Sequence, residues 1–124
     1  MVKKAIKYYQ VNPWAIIEKG FDPTRSMASE SIFSLANEYM GVRGFFDEGY
    51  SGNSLIGTYF NGLYELPNKP GNAGYKGISK KSHFMVNSVN CFATEIYLNN
   101  QLVDLAKGDF SDFTRTLDMR SGEL

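Results

Sequence analysis

Few residues in this 124-residue sequence are placed to do chemistry, and each has a plainer use as well. Asp47-Glu48 is the sole adjacent carboxylate pair. An acid/base couple must flank one bond, whereas neighbours in an extended segment point to opposite faces, so this pair reads as solvated or salt-bridged. Arg43, set between Gly41 and Gly44, has the ingredients of an anion site, because glycines let backbone amides and a guanidinium come close. The spacing matches no phosphate-binding motif; the other reading is an internal arginine paired to a carboxylate, with the glycines as strand bulges. His83 is the sole histidine and Cys91 the sole cysteine, so no further His or Cys completes a ligand set and no metal is expected. A Cys91-His83 nucleophile pair would need one shared site. The residues around Cys91 read instead as a buried strand, with the thiol as a small core group. Tyr50, Tyr59, Phe60, Tyr64 and Tyr75 offer flat faces that could stack on sugar rings, or could serve packing. No residue stands out as catalytic.

The elements that must hold these residues are those of a small β protein. With 43% hydrophobic and 15% aromatic residues the chain can bury a core of one-domain size. Thirteen basic and thirteen acidic residues cancel, which removes the long-range field that draws proteins to nucleic acid or an anionic membrane. The longest apolar stretches, such as Trp14-Ala15-Ile16-Ile17, fall far short of the roughly 20 residues that span a bilayer. Lys3, Lys4 and Lys7 are followed by Tyr8, Tyr9 and Gln10 rather than by the apolar region of a secretory signal. A lone cysteine suits a reducing compartment, so a cytoplasmic location is expected.

Twelve glycines and many aromatics favour strands joined by tight turns. Phe92 to Leu98 alternates as a strand with one core face, Asn99-Asn100 supplies a turn, and Gln101 to Leu105 resumes an extended pattern, which predicts a hairpin. Phe113 to Met119 alternates too, with Arg115 the polar member of the row that holds Phe113, Leu117 and Met119. Ser121-Gly122 ends that run and Glu123-Leu124 begins a returning arm, so the sequence reads as part of a larger sandwich. Trp14 to Glu18 predicts a strand with Phe21-Asp22-Pro23 as the turn after it, and Pro67 to Gly74 carries every signal of a loop. From Ser31, the residues Ile32, Phe33, Leu35, Ala36, Tyr39 and Met40 fit helical spacing.

The stretch from Glu30 through Asn37-Glu38-Tyr39-Met40-Gly41-Val42-Arg43-Gly44 to Glu48 is similar to the N-terminal signature of glycoside hydrolase family 65. Gly57-Thr58-Tyr59-Phe60-Asn61-Gly62-Leu63-Tyr64-Glu65, Met85-Val86-Asn87, Leu98-Asn99-Asn100 and Arg115 to Leu124 continue the likeness in the family's order, from Trp14 onward. The resemblance implies a mainly β chain: the N-terminal part of an antiparallel β-sandwich, a galactose-mutarotase-like super-sandwich, over 14–124, with 1–13 as a lead-in. It also implies a strand over Ser31 to Asn37, against the helical periodicity. Asn37 to Gly44 and Gly49 to Leu55 most resemble the maltose phosphorylases among the maltose, trehalose and kojibiose enzymes of the family.

The reaction implied for a complete enzyme is inverting phosphorolysis. A glutamic acid protonates the glycosidic oxygen while inorganic phosphate, a co-substrate rather than a cofactor, attacks the anomeric carbon from the opposite face. Maltose would give β-glucose 1-phosphate and glucose. Both the acid and the phosphate pocket are implied to lie in an (α/α)6 barrel outside these residues, which is then the chain's own partner. The same resemblance implies a homodimer. Against this stand a carbohydrate-binding sandwich that acts alone and a domain of a family 65 hydrolase such as a trehalase.

Overall fold

A computed structural model describes residues 8–66, 83–109 and 111–124. The loop expected at Pro67 to Gly74, and Tyr75, lie outside the described residues. The architecture is mainly β, as expected, with antiparallel pairing throughout. Three strands form one sheet in the order β1 (Tyr9–Val11), β2 (Ala15–Lys19), β9 (Thr114–Asp118), and four form a second in the order β3 (Leu35–Ala36), β4 (Met40–Val42), β5 (Thr58–Glu65), β6 (Phe84–Asn87). β7 (Tyr97–Leu98) and β8 (Gln101–Leu102) make a separate ribbon. β1 lies within the stretch read as a lead-in and joins β2 through a turn in which Asn12 Oδ1 accepts from the Trp14 amide at 2.9 Å.

The first sheet explains the core. β2 and β9 pair in a register that sets Ile16 opposite Leu117 and Glu18 opposite Arg115. Directly paired residues share a face, so one face of the sheet carries an apolar pair beside a charged one. Leu117, Phe33 and Phe45 are the buried apolar side chains among the described residues. Next to them Phe21, Phe46, Tyr50 and Phe113 form a cluster with ring centroids 5.5 to 5.9 Å apart, in tilted and edge-to-face geometry suited to aromatic quadrupoles.

The segment after β2 corrects both expectations for Ser31 to Met40. Asp22 caps a 3-10 turn at Pro23–Arg25 by accepting from the Thr24 amide at 3.0 Å, and the chain then enters helix α1 (Ser26–Ile32). Ser31 and Ile32 are therefore helical, not strand as the family resemblance implied, and only Leu35–Ala36 of that stretch pairs as a strand. The helical periodicity misleads as well, because the helix ends just before Phe33 and Met40 belongs to β4. What α1 buries is Ser26, Ser29 and Glu30, followed by Phe33 beyond its end. That is helical spacing on a largely polar stripe, while the apolar Met27 and Ile32 lie exposed.

β3 and β4 form a hairpin closed by Asn37, whose Oδ1 accepts from the amides of Tyr39 and Met40 at 2.8 and 2.9 Å. The register of β5 with β6 shifts between Tyr59 and Tyr64, where Gly62 has φ +83°. The strand bulges expected at Gly41 and Gly44 do not form, since Gly41 pairs in regular register with Ala36 and Tyr59 and Gly44 lies beyond the end of β4. The hairpin at Asn99-Asn100 also forms, with φ of +50° and +61°, the left-handed pair of a two-residue turn. Its first arm is much shorter than expected. Only Tyr97–Leu98 is strand, residues 91–98 are all exposed, and no core face develops, so Cys91 is a surface thiol rather than a core residue.

Gly44, in the loop after β4, lies against the C-terminal end of α1. Its amide donates to Glu30 O at 3.0 Å, and a Cβ added there would stand 2.5 Å from Phe33 O and 2.6 Å from Phe33 Cβ. Gly44→Ala is therefore expected to destabilise the fold by about 1–3 kcal/mol through overpacking. Gly62→Ala meets no atom within 4 Å and is expected to cost only the left-handed backbone, about 1–2 kcal/mol. Urea midpoints of the two variants check the order; equal losses would mean that the close approach at Gly44 is not what requires glycine.

Candidate functional site

The most constrained polar group is a buried ion pair that no motif announced. Arg115 Nη2 and Nε bond Glu18 Oε2 at 2.8 and 3.2 Å, and Arg115 Nη1 donates to Gly44 O at 2.9 Å. Ser29 Oγ donates to the other carboxylate oxygen, Glu18 Oε1. That bond uses the single hydrogen of the Ser29 hydroxyl, so the Tyr9 hydroxyl, 3.2 Å away, is the donor to Ser29 Oγ. The guanidinium also lies 4.5 Å from the Phe33 ring centroid and 5.0 Å from that of Phe46, a cation-π arrangement. β1, β2, β9, α1 and the Gly44 turn thus meet at one cluster. One signal in the sequence pointed to it: Arg115 stands in an otherwise apolar row, and Glu18 follows Ile16 at strand spacing.

Glu30, fully buried, is the second buried carboxylate. Its oxygens accept from Ser54 Oγ and the Leu55 amide, which ties the loop before β5 to the helix. Both carboxylates have their oxygens engaged by internal donors, which makes them braces rather than groups poised to exchange protons with a substrate.

Arg43 lines a cleft of about 520 Å³ together with Phe33, Leu35, Val42, Phe45 and Phe92. The carboxylate partner expected of an internal arginine is replaced by a hydroxyl: Arg43 Nη2 donates to Ser31 Oγ, and among the described residues Arg43 makes no ion pair. Its Nε is buried without a hydrogen-bond partner among them. The walls are mostly apolar, and among the described residues Arg43 is the only cation on them. An anion would therefore meet one guanidinium and few other donors.

Asp47 and Glu48 occupy a turn rather than an extended segment, and both are exposed. They border a smaller cleft of about 260 Å³ with Tyr50, Asn90 and Thr94. Partial desolvation raises the Asp47 carboxyl above its ordinary value, and the negative charge of Glu48 adds to the effect. Across the same loop Asp104 takes the Ser51 amide at 3.0 Å, the Ala106 amide at 2.9 Å and Lys107 Nζ at 2.9 Å. His83 is exposed and lies beside Tyr64, with ring centroids 6.4 Å apart, and no group of three metal-ligating side chains occurs among the described residues.

The candidate sugar-stacking residues are dispersed. Tyr50 packs into the aromatic cluster. Tyr59 and Phe60 are half-buried neighbours on β5, and adjacent strand residues face opposite ways. Phe60 pairs with Met40 across the sheet, whereas Tyr64, beyond the register shift, is exposed. The four do not share one face.

Comparison with known proteins places these features. Residues 16–124 match the family described as "Glycosyl hydrolase family 65, N-terminal domain". An alpha,alpha-trehalose phosphorylase of Thermoanaerobacter brockii is 36% identical over 117 residues, covering 92% of this chain and 15% of its own length. A maltose phosphorylase of Bacillus subtilis (strain 168) is 34% identical over 119 residues, covering 95% of this chain and 16% of its own length. A solved structure described as "Putative kojibiose phosphorylase from human microbiome" superposes with a TM-score of 0.81 at 54% identity, covering 93% of this chain and 15% of that one. The chain thus spans about 15% of the length of the relatives it matches.

Two outcomes follow from the polar cluster and the Asp104 loop. Arg115→Met is expected to lower stability by about 3–5 kcal/mol, because it leaves Glu18 buried without its cation, and Glu18→Leu added to it should recover part of that loss. Denaturant titration of the single and double variants checks this; an Arg115→Met loss below about 1 kcal/mol would place the pair with solvated surface bridges. The donors from Ser51, Lys107 and Ala106 hold the Asp104 carboxyl well below its ordinary value of 3.8. A depressed acid contributes its stability above that ordinary value and loses it as pH falls through the folded value. The Ser51 amide shift followed by NMR is expected to titrate below pH 3.8; a midpoint at or above it would contradict the bonding described.

Proposed function

Because this chain belongs to the N-terminal domain family of glycosyl hydrolase family 65, we propose that it is the non-catalytic N-terminal domain of an inverting disaccharide phosphorylase of carbohydrate metabolism. The match over residues 16–124 carries this reading. The internal bonding of Glu18 and Glu30 agrees with it, since buried carboxylates satisfied by protein donors hold a scaffold together. The catalytic glutamic acid and the phosphate pocket then belong to an (α/α)6 barrel in the same polypeptide. There the acid protonates the glycosidic oxygen as phosphate attacks the anomeric carbon from the opposite face, so the sugar leaves as the inverted 1-phosphate.

The proposed substrate is maltose, on the likeness of Asn37 to Gly44 and Gly49 to Leu55 to maltose phosphorylases. Kojibiose is the second reading, favoured by the 54% identity to the structure described as a putative kojibiose phosphorylase. The enzyme is proposed to be a cytoplasmic homodimer. The lone cysteine supports the location, and the family habit supports the dimer. No helix among the described residues is long and apolar enough to cross a membrane.

The test is the longer protein that carries this sequence, assayed with maltose, kojibiose and trehalose with and without inorganic phosphate. Phosphate-dependent release of glucose together with β-glucose 1-phosphate is expected, fastest from maltose. Release without phosphate would make the enzyme a hydrolase and overturn the reading. The 124-residue chain itself is expected to give neither product nor a saturable signal on titration with maltose. A clear binding isotherm would favour a carbohydrate-binding module instead.

A further inference from the structure

The ribbon of β7 and β8 is fastened at its root and bare at its tip. At the root Thr94 N donates to Asp47 O at 2.8 Å and Leu105 N to Gly49 O at 3.1 Å, which joins the ribbon to the 46–51 loop, while Val103 N donates to Ile96 O at 2.8 Å between its own two arms. Beyond that, β7 and β8 pack against no other strand or helix among the described residues. Every residue from Cys91 to Leu102 is exposed, with Tyr97 at 59%, Leu98 at 68% and Leu102 at 51%. Leu102 lines a cleft with Phe46, Tyr50 and Ile56 but stays half exposed, and a two-stranded ribbon packed against no other strand or helix is marginal in water, where bare apolar strands invite association. The turn is well made, with both asparagines in the left-handed region, so the tip has a defined shape. From Ile96 to Val103 no side chain is charged, which selects an apolar, uncharged counterpart.

We propose that the Tyr97–Leu102 hairpin is a docking arm whose partner is an apolar surface on the remainder of the same polypeptide. This rests on the reading of the chain as one domain of a longer phosphorylase. The occupant follows from proportion: relatives that match nearly all of this chain are several times longer, so the largest nearby surface is their own further sequence. The proposal adds which part of this domain that sequence covers, and the arm binds protein rather than sugar.

The test is amide hydrogen exchange of residues 96–103 in the longer protein, measured over a hundredfold range of dilution. At least about 100-fold protection relative to an unstructured peptide, independent of dilution, is expected. Leu98→Asp is expected to lower that protection tenfold or more, while the Phe33 and Arg115 amides remain slow. Fast exchange at 96–103 in the wild-type protein would overturn the proposal, and so would protection lost on dilution, which would assign the arm to a second copy. The wild-type measurement stands even if the variant fails to fold. Phosphorolysis assayed on the same sample separates the two readings. Activity with an unprotected hairpin defeats the arm alone, and a protected hairpin without phosphorolysis defeats the enzyme reading alone.

Discussion

A carboxylate and a guanidinium drawn out of water must satisfy each other, and the Glu18-Arg115 pair does so while its two residues stand 97 positions apart in the chain. Strands β2 and β9 come together with these residues opposite each other, so the register that sets half-buried Ile16 against buried Leu117 also forms the ion pair. A slip of one residue would turn both to the other face. The ion pair and the apolar pair therefore call for the same register of the first sheet. The arginine then reaches beyond the sheet, to Gly44 O and to the rings of Phe33 and Phe46.

Helix α1 is shaped by the same cluster. It presents Ser29 to Glu18 and Glu30 to the loop before β5, and its polar stripe faces inward because the sheet offers it a carboxylate. A seven-residue helix is too short to persist in water by itself, so its bonds to the sheet and loop hold it in place. Gly44 completes the arrangement by letting the turn lie against Phe33 with no intervening side chain. Charge burial, helix orientation and backbone approach thus depend on one another. A change in any of them is felt in the rest, as expected of a connected buried polar network.

This coupling also bears on function. The buried carboxylates Glu18 and Glu30 are occupied within the domain, whereas the more exposed carboxylates, Asp47 and Glu48, sit at a loop turn beside the base of the β7-β8 ribbon. The domain joins a rigid braced centre to a periphery rich in uncovered apolar side chains such as Leu63, Tyr64, Phe84 and Leu98. Such a distribution suits a scaffold that completes itself against further protein. It places little weight on the dispersed aromatics as a sugar platform.

The sequence by itself determined what depends on neighbours along the chain. Alternation marked β9, the short apolar run from Trp14 to Glu18 marked β2, and paired asparagines marked the hairpin turn, because each needs only local backbone preference. The Asn37 to Gly44 signature marked the family. Tertiary structure decided what depends on distant partners. Apolar periodicity missed α1, since the stripe it buries is mostly polar and becomes favourable only where Glu18 and Arg115 meet it. Alternation likewise overstated the strand at Phe92 to Leu98, because a pattern says which side chains lie together but not whether anything covers them. Burying a charge costs more than any local preference can offset, so where Glu18 and Arg115 come to lie is settled only when both have found each other.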